Sequence, residues 1–564
     1  MQKVLTAEQM REVDRLTTER YGIPSIILME NAAHAVARVI TEKLGGSVKG
    51  KSILVLCGKG NNGGDGAALA RILWKDGAFV CFLLFGKVAE TKGNARTNFD
   101  ILDLIENDVA TSGGEFNKLL VHDDDEDLIP MLEGTLRSED LGLVVDALFG
   151  TGLTREMSGE FAEIIQRLEN HKPNIISIDL PSGLDADQNN PIGWNVSATT
   201  TVTFTAPKPG NVVAPASSFN GELVLSNIGS PQELIDEQPS KLFLAEIFDA
   251  ANWLKRSEFG DSSYKNKRGH TLLIAGSESY SGAAVLGGNA AMRSGVGLVT
   301  IATPRSSKDS IASRVLPEVM VKGVAETANG SIDDAAFDEL NDLLEKADSV
   351  AIGSGLSQNE STKRFVKKVI ENRRQPTIVD ADALNLLSPF NTFMQKPARE
   401  QGRNIRPESH ALAHARASAT GVDDGPPLIL TPHEGEFMRL LGTDDKDAIK
   451  DRVAAVREFA TKNKVILVLK GERVLIGEPG GRVVVNPTGN SGLGKAGNGD
   501  TLTGILAGFV AQAVQFNINI FETVVAAVYV SGMAGDIAEK KYGKRVMTAS
   551  DVRECLSEVF EFLG

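Results

Sequence analysis

The chain has 564 residues, of which 42% are hydrophobic and 24% are charged, and its formal net charge is −15. This length predicts roughly two to four domains, and the composition is that of a soluble globular protein. The acidic balance argues against a nucleic-acid partner or an anionic membrane surface, and the three scattered cysteines are too few for a disulfide framework or a zinc site.

The amino terminus lacks the features of an export or membrane segment. It has no apolar signal core, and no run of the chain reaches the roughly 18 apolar residues that a membrane span needs. We therefore expect a cytoplasmic protein without a membrane partner.

The chain opens with two predicted helices. Thr6 and Gln9 stand at capping-box spacing, and apolar residues at helical spacing follow them. A second helix is predicted over residues 25–44, where Glu30 and Asn31 interrupt an apolar face. Because buried polar groups need partners, three alternatives are open for these two: they bind each other, a helix cap or another subunit. As a separate expectation, the protein forms a homo-oligomer.

A strand and a polar, glycine-rich segment follow. Residues 52–57 form a continuous apolar run, typical of a central parallel strand, and lead into a predicted loop over 58–66 and a helix over 67–75. A strand, a glycine-rich loop and a helix in this order are typical of the phosphate-binding unit of a doubly wound sheet. The spacing of the glycines matches neither the dinucleotide fingerprint nor a P-loop. Carboxamide and carboxylate oxygens on a backbone free to adopt positive φ suit a hard cation or ribose hydroxyls; the alternative is a merely tight turn.

The same order of strand and polar loop is repeated twice. Residues 143–149 lead into the loop 150–156, and residues 175–179 lead into the loop 180–185. Because parallel sheets place binding groups at the carboxyl ends of adjacent strands, we expect the three loops to converge on one crevice. These features predict a Rossmann-like three-layer α/β domain over residues 1–235, which ends in an acidic, proline-containing linker.

A second α/β domain is predicted over residues 236–564. Its helices alternate with strands predicted at 271–275, 349–352, 376–379, 428–430 and 465–469. This alternation indicates a layered sandwich of the ribokinase-like type, a fold that also includes sugar and vitamin kinases. A polar stretch with few apolar anchors predicts a mobile insertion at 389–426.

The stretch 489–504 is the strongest site signal in this domain. It has six glycines in sixteen residues and leads into an apolar segment predicted to be helical over 501–514. Such a transition from loop to helix binds anions, because the first backbone N–H groups are free and the helix dipole is positive there. Asp500, in the first helical turn, is then either an N-cap or a base that abstracts a proton.

Four segments of the first domain resemble the NAD(P)H-hydrate epimerase domain. They are GKGNNGGDG at 58–66, VDALFGTGL at 145–153, IDLPSGLD at 178–185 and TAPKPG at 205–210, and the resemblance covers residues 1–230. It implies that Asn62, Asp146 and Ser182 help to hold a potassium ion, and Asp179 is our candidate for proton transfer at C6 of the hydrated nicotinamide. The implied substrate site consists of Asn61, Asn62, Gly63, Gly64, Asp65, Gly150, Thr151, Gly152, Leu153, Thr154, Arg155, Glu156 and Asp179.

The second domain resembles the NAD(P)H-hydrate dehydratase domain from about residue 265 to the end. The resemblance rests on SGA at 281–283, DADALN at 380–385, TPHEGE at 431–436 and GNGDTLTG at 497–504. It implies contacts to the hydrated cofactor from Ala283, Gly355, His433 and Asp500. Contacts to the adenine nucleotide are implied for Lys470, Gly471, Glu472, Arg473, Val474 and Gly499.

Two residues of this domain leave questions open. An isolated histidine is more often structural than functional, but the place of His433 beside two glutamates at a strand end favours binding. Asn498 stands where the family often has a hydroxyl residue, which leaves the fine nucleotide preference open.

Together the resemblances imply a bifunctional enzyme that repairs the hydrates of NADH and NADPH. The first domain would interconvert the R and S hydrates, and the second would dehydrate the S hydrate with ADP and Mg²⁺, giving NAD(P)H, AMP and phosphate. Asp500 would take the hydroxyl proton. Two alternatives remain: a ribokinase-like small-molecule kinase of the hydroxymethylpyrimidine type, and a first domain that is a non-catalytic binder.

Overall fold

The computed structural model describes residues 1–112, 119–123, 128–390 and 425–564, with the side chains of 107–112 and 119–123 left undescribed. The chain divides into two compact units: an N-terminal unit, Gln2–Leu242, and a C-terminal unit, Phe243–Gly564 together with Met1. The sequence had placed a boundary after residue 235. Apart from two residues at each end, the predicted insertion at 389–426 lies outside the described residues.

The N-terminal unit is built on a seven-stranded sheet in which all neighbouring strands are parallel. The sequence order of the strands reverses between Ser52–Cys57 and Leu141–Ala147, which is the switch point where doubly wound sheets open a crevice. In spatial order the strands are Leu119–Asp123, Phe79–Leu84, Ser52–Cys57, Leu141–Ala147, Ile175–Ile178, Thr200–Phe204 and Glu222–Ser226.

Helices cover both faces of this sheet. The odd-numbered residues of the central strand Ser52–Cys57 enter a core shared with Ser25–Lys43 and Asn61–Lys75, whereas its even-numbered leucines enter a core shared with Leu128–Leu136 and Glu160–His171. The predicted three-layer arrangement is confirmed, and the central strand is apolar throughout because both its faces are buried. The unit also contains the strand Gln2–Lys3, the helices Ala7–Tyr21, Gly93–Ser112, Pro209–Val212 and Gln232–Asp236, and the 3₁₀ helices Val88–Glu90 and Ala216–Phe219.

The helix after the first central strand begins earlier than the sequence predicts. It spans Asn61–Lys75, so residues 61–66 of the predicted loop 58–66 are helical. None of the glycines in this segment has a positive φ. All of them except Gly60 allow close packing: a Cβ on Gly63, for example, would lie 1.8 Å from the carbonyl oxygen of Gly58. The expectation of a conformationally free loop was therefore wrong.

The two polar residues of the second helix find partners inside the N-terminal unit. Glu30 forms an ion pair with Arg71, and the Asn31 amide donates to the carbonyl of Ile228 at 2.7 Å. Neither side chain needs another subunit for its hydrogen bonds. The capping box predicted at the start of Ala7–Tyr21 is confirmed.

The C-terminal unit has a mixed sheet of the predicted ribokinase-like type. The strands from Ile466–Leu469 to Met320–Val324 in the spatial order are parallel, and a hairpin follows Ile466–Leu469 in antiparallel pairing. In spatial order the strands are Leu242–Leu244, Val483–Val485, Leu475–Gly477, Ile466–Leu469, Leu428–Leu430, Thr377–Val379, Ser349–Ile352, His270–Ile274, Leu298–Pro304 and Met320–Val324.

Helices pack against this sheet, and the unit contains a large hydrophobic core. In it, Trp253 stacks on Phe509 with ring centroids 4.0 Å apart. The α-helices are Ile247–Arg256, Ser281–Arg293, Lys308–Ala312, Ala336–Lys346, Glu360–Glu371, Ala381–Leu386, Glu434–Leu441, Arg452–Asn463, Asn498–Phe516, Ile520–Tyr542, Ala549–Glu554 and Leu556–Leu563. Short 3₁₀ helices occur at Lys265–Arg268, Arg305–Ser307, Lys446–Ile449 and Ser491–Leu493.

One described helix, Ile520–Tyr542, is long and apolar enough to cross a membrane by length and composition, contrary to the sequence expectation. About two thirds of its apolar window is nevertheless buried within the C-terminal unit, and Val524, Val525 and Ala526 have no exposed surface. The apolar composition is therefore explained by packing in the core.

Candidate functional site

Three loops meet at the carboxyl ends of the central strands of the N-terminal sheet. Gly58 approaches Leu148 so closely that a Cβ on the glycine would lie 2.2 Å from the leucine carbonyl oxygen. If Gly150 carried a Cβ, that atom would lie 3.2 Å from the carboxamide oxygen of Asn62, so these two residues are close neighbours. The Ser182 hydroxyl accepts a hydrogen bond of 2.9 Å from the backbone of the second loop. The structure thus brings the three predicted loops together.

Asp146 is the buried anchor of this crevice. Its carboxylate accepts hydrogen bonds from the Ser182 hydroxyl at 2.6 Å, the Ser182 N–H at 2.9 Å and the Ser177 hydroxyl at 2.8 Å. A longer bond of 3.3 Å comes from the N–H of Leu148. Burial raises the pKa of Asp146, and the bonds from Ser182, Ser177 and Leu148 oppose that rise.

The predicted cation ligands lie in this crevice. Asn62 is almost buried, and its amide nitrogen has no hydrogen-bond partner among the described residues. Within the described parts of the chain, no group of three or more His, Cys, Asp or Glu side chains is arranged to hold a metal ion. Asn62, Asp146 and Ser182 offer oxygens that include a single carboxylate, a donor set that fits a hard cation of single charge.

Asp179 is held in an unusual conformation by a buried lysine. Its φ of +66° is rare for a residue with a side chain, and the Asn211 amide donates to its carbonyl at 3.1 Å. The Lys208 ammonium donates to the Asp179 carboxylate at 2.5 Å, to the Thr203 hydroxyl at 2.9 Å and to the Phe204 carbonyl at 3.2 Å. All three ammonium protons are therefore used, and the lysine side chain is only 2% exposed.

Lys208 also acts on two further carboxyl groups. Burial raises the pKa of Asp14 to about 6; Lys208 opposes this rise and Asp179 adds to it. Burial also raises the pKa of Asp65 well above its usual range, with Asp179 and Asp14 adding to the rise and Lys208 opposing it. Three carboxyl groups around one ammonium favour retention of a proton near neutral pH. Sequence reasoning missed Lys208 and Asp14 as site residues, although Lys208 lies within the quoted TAPKPG segment.

The other predicted residues of this site differ in how exposed they are. Leu153 is 7% exposed and packs in the core, so only its backbone is available to a ligand. Glu156 packs against Gly193, where a Cβ would lie 2.3 Å from the glutamate Cγ. Gly63 and Gly64 are buried in the helix, whereas the exposed members are Asn61, Gly152, Thr154, Arg155 and Glu156.

In the C-terminal unit, Asp500 stands in the first turn of the helix Asn498–Phe516. The N-cap of this helix is Gly497, with φ of +92° and no side-chain capping bond. The helix begins three residues before the predicted start, and Asp500 is its third residue. The alternative in which Asp500 is the N-cap was therefore wrong.

The surroundings of Asp500 favour a carboxyl group that titrates near neutral pH. Burial raises its pKa to about 6. The Ser354 hydroxyl and Lys470 oppose this rise, whereas Asp380 and Asp382 add to it. A general base works best when its pKa lies near the working pH, so this carboxylate is suited to accept a proton.

Ala283 and Gly355 lie close to this helix. A Cβ on Gly355 would lie 3.1 Å from the Cβ of Ala283, and the φ of Gly355 is +65°. The helix that carries Ala283 packs on the Asp500 helix through glycines: a Cβ on Gly504 would lie 2.1 Å from the carbonyl oxygen of Gly287. The small residues noted in the sequence thus allow close helix packing beside Asp500.

His433 has a structural role at the start of the helix Glu434–Leu441. Its ring Nδ1 accepts hydrogen bonds from the N–H groups of Gly435 at 3.0 Å and Glu436 at 3.3 Å. The side chain is 56% exposed, so capping leaves much of the ring open to a ligand.

The predicted nucleotide segment begins next to this capping residue. The N–H of Lys470 donates to the carbonyl of Pro432 at 2.8 Å. The Lys470 ammonium donates to Asp380 at 2.7 Å and lies 3.9 Å from Glu436. Burial lowers the pKa of Lys470, but Asp380 and Glu436 raise it more, so that the pKa lies above its usual value. A Cβ on Gly499 would lie 3.6 Å from this ammonium, so the structure brings the two predicted residues together.

The rest of the segment, residues 471–474, is held mainly through its backbone. The Arg452 guanidinium donates to the carbonyl of Glu472 at 2.9 Å. Arg473 has a φ of +53°, and Val474 packs against the core. Arg452 is a buried contact that the sequence pattern did not single out.

The fold and the sites define the class: a two-unit α/β enzyme with a Rossmann-like unit followed by a ribokinase-like unit. Residues 25–210 match the family model described as YjeF-related protein N-terminus. Residues 271–405 and 409–558 match the NAD(P)H-hydrate dehydratase model.

Relatives match almost the whole chain. The bifunctional NAD(P)H-hydrate repair enzyme Nnr of Moorella thermoacetica is 37% identical over 99% of this chain and 97% of its own. The Escherichia coli protein of the same name is 29% identical over 98% of this chain and 93% of its own. The solved Bacillus subtilis ADP/ATP-dependent NAD(P)H-hydrate dehydratase, co-crystallised with ATP/Mg²⁺, is 29% identical over 57% of this chain and 99% of its own, with a TM-score of 0.45. The chain belongs to the bifunctional NAD(P)H-hydrate repair enzyme family.

Proposed function

We propose that this protein repairs the hydrates of NADH and NADPH in two steps. The N-terminal unit interconverts the R and S hydrates, and the C-terminal unit dehydrates the S hydrate with ADP, giving NAD(P)H, AMP and phosphate. The observation that carries this proposal is that each unit has its own candidate aspartate in an unusual environment: Asp179 is paired with the buried Lys208, and burial raises the pKa of Asp500 to about 6. The full-length match to repair enzymes supports the pairing of the two activities.

In the N-terminal unit, Asp179 acts as the proton acceptor at C6 of the hydrated ring. Lys208 donates to the carboxylate at 2.5 Å and orients it. Burial raises the pKa of Asp65 well above its usual range and that of Asp14 to about 6, so Asp65 is the candidate acid beside the base Asp179.

The crevice around Asp146 suits a potassium ion. The oxygens of Asn62, Asp146 and Ser182 would hold it, and their single carboxylate balances its single charge. When bound, the ion would supply a fixed positive charge beside the substrate.

In the C-terminal unit, Asp500 takes the proton from the C6 hydroxyl as that oxygen attacks the terminal phosphorus of the nucleotide. AMP leaves as the new P–O bond forms. Phosphate is a better leaving group than hydroxide, so it then departs from C6 while a proton is lost from C5, which forms the C5–C6 double bond and completes the dehydration. The backbone at 497–499 forms the start of the helix, where the positive end of the helix dipole would stabilise the phosphate charge. Mg²⁺ would arrive on the nucleotide phosphates and supply charge neutralisation there.

The nucleotide is proposed to be ADP. The side-chain amide of Asn498 donates to the carbonyl of Leu493 at 3.0 Å and its backbone N–H donates to the carbonyl of Lys495 at 3.4 Å, so Asn498 braces the loop. Rates with ADP and ATP at equal concentration test this choice. A cytoplasmic location and a homo-oligomeric state stay predictions, and light scattering in solution measures the second.

A substitution in the first crevice tests the division of labour. Asn62→Ala should weaken epimerisation and its dependence on potassium, because it removes a carboxamide from the cation site while leaving the other unit intact. Dehydration of pure S hydrate should stay within twofold of wild type. Equal loss of both activities would contradict the assignment of one activity to each unit.

A further inference from the structure

Asp380 is a buried carboxylate that joins the catalytic helix to two strand ends. It follows the strand Thr377–Val379 and is 1% exposed. It accepts hydrogen bonds from the Thr431 hydroxyl at 2.8 Å, the Lys470 ammonium at 2.7 Å and the Thr503 hydroxyl at 2.9 Å. One side chain therefore fixes the start of the helix relative to the neighbouring strands.

The helix contact lies very close to Asp500. Thr503 is the residue one turn beyond Asp500, so both stand on neighbouring parts of the same helix surface. A Cβ on Gly499 would lie 3.8 Å from the second carboxylate oxygen of Asp380, which places this carboxylate directly beneath the first helical turn. Movement of Asp380 would therefore move the turn that carries Asp500.

Asp380 also acts on Asp500 through charge. Burial is the largest cause of the raised pKa of Asp500, and the charged groups that then act on it are Asp380, Lys470 and Asp382. The two aspartates raise this pKa, whereas the lysine lowers it. Glu436, 3.9 Å from the Lys470 ammonium, shares the positive charge of the lysine with Asp380.

We propose that Asp380 is a positioning residue of the dehydratase, which fixes the helix of Asp500 through Thr503 and keeps a second negative charge beside the base. The proposal rests on the dehydratase function proposed above and adds a residue that neither touches the reacting atoms nor belongs to the implied ligand contacts. Its two actions, through a hydrogen bond and through charge, can be separated by two substitutions.

Asp380→Asn tests the charge. The amide is nearly isosteric and still accepts from Lys470 and Thr431, so the fold should be kept. Removal of a negative charge should lower the pKa of Asp500, and the acid limb of the pH profile of dehydration should move to lower pH. A purely structural role would lower the rate at every pH and leave that limb in place, and this result would overturn the charge effect.

Thr503→Val tests the hydrogen bond without changing charge. It should lower kcat for dehydration about tenfold, leave both KM values within threefold and leave the acid limb unmoved. Thr501→Val is the matched control, because Thr501 is buried on the same helix and its hydroxyl makes no hydrogen bond within the described chain. It should leave kcat unchanged.

The outcomes distinguish this proposal from the function on which it rests. If wild-type protein forms no NADH from S hydrate and ADP, the dehydratase assignment fails. If wild type is active but the acid limb of Asp380→Asn does not move, or kcat of Thr503→Val equals that of Thr501→Val, the role of Asp380 is wrong. If Asp380→Asn does not unfold cooperatively on heating, Thr503→Val alone decides.

Discussion

Replacement of Asp500 by asparagine should separate nucleotide binding from chemistry. The helix is capped by Gly497 without a side-chain bond, so the substitution removes no cap and should leave the anion-binding backbone in place. The amide cannot accept the hydroxyl proton, and loss of a general base typically costs about 10²- to 10⁴-fold in rate. We expect kcat for dehydration to fall by that factor and the affinity for ADP to stay within threefold of wild type.

The same substitution should stabilise the fold at neutral pH. The pKa of Asp500 rises from 3.8 to about 6 on folding. Protonation of Asp500 therefore stabilises the folded state relative to the unfolded state. This contribution is fully present below the unfolded value and is lost as the pH rises through about 6. Asparagine avoids the cost of burying the charge, so the mutant should gain at most about 3 kcal/mol at pH 7 and nothing near pH 3.5.

Three measurements check this prediction. Isothermal titration calorimetry gives ADP affinity, thermal unfolding at the two pH values gives the stability change, and chromatography of the hydrates follows both activities. Epimerisation should continue at the wild-type rate while NADH formation stops. If dehydration remained within threefold of wild type in a folded mutant, Asp500 would not be the base.

Three further substitutions test other parts of the structure. Gly63→Ala should destabilise the N-terminal unit and reduce epimerisation, because the added Cβ would lie 1.8 Å from a backbone oxygen. In the control Gly60→Ala the added Cβ meets nothing within 4 Å, so this variant should be neutral. Similar melting temperatures for the two variants would contradict the packing explanation. Lys208→Met leaves a buried carboxylate without its cation and should cost about 3–5 kcal/mol of unfolding free energy and most epimerase activity, with dehydration of S hydrate unchanged. Phe509→Ala should lower the unfolding free energy of the C-terminal unit by about 3–5 kcal/mol, because the fully buried ring stacks on a tryptophan. Denaturant unfolding measures this change, and a loss below about 1 kcal/mol would show that the core repacks.

The strands were predictable because a buried parallel strand is apolar along its whole length. Ser52–Cys57, Ser349–Ile352 and Leu428–Leu430 have the predicted bounds. The conformation of the glycine-rich segments was not predictable, since a glycine indicates either a turn or a close approach of two backbones. At Gly58 and Gly504 the neighbours that require a glycine, Leu148 and Gly287, come from other elements of the fold, and periodicity contains no information about them.

In the candidate sites, too, some residues were predictable from the sequence and others were not. Asp146, Asp179 and Asp500 were noticed because they stand at strand ends or beside glycines. Asp14 and Lys208 were not assigned to the site, because Asp14 lies on the first helix, far from the other motifs, and the ion pair of Lys208 exists only once the chain is folded. Burial and charge neighbours, which give these residues their altered properties, depend on three-dimensional packing.

The most direct test of the whole account is a product analysis on a mixture of chemically prepared R and S hydrates of NADH. The full-length protein, given ADP and Mg²⁺ in potassium buffer, should convert both hydrates to NADH and release one orthophosphate for each NADH formed. Accumulation of a stable phosphorylated product without NADH would instead indicate a small-molecule kinase. Consumption of the S hydrate alone, with the R hydrate unchanged beyond its spontaneous rate, would contradict the epimerase assignment.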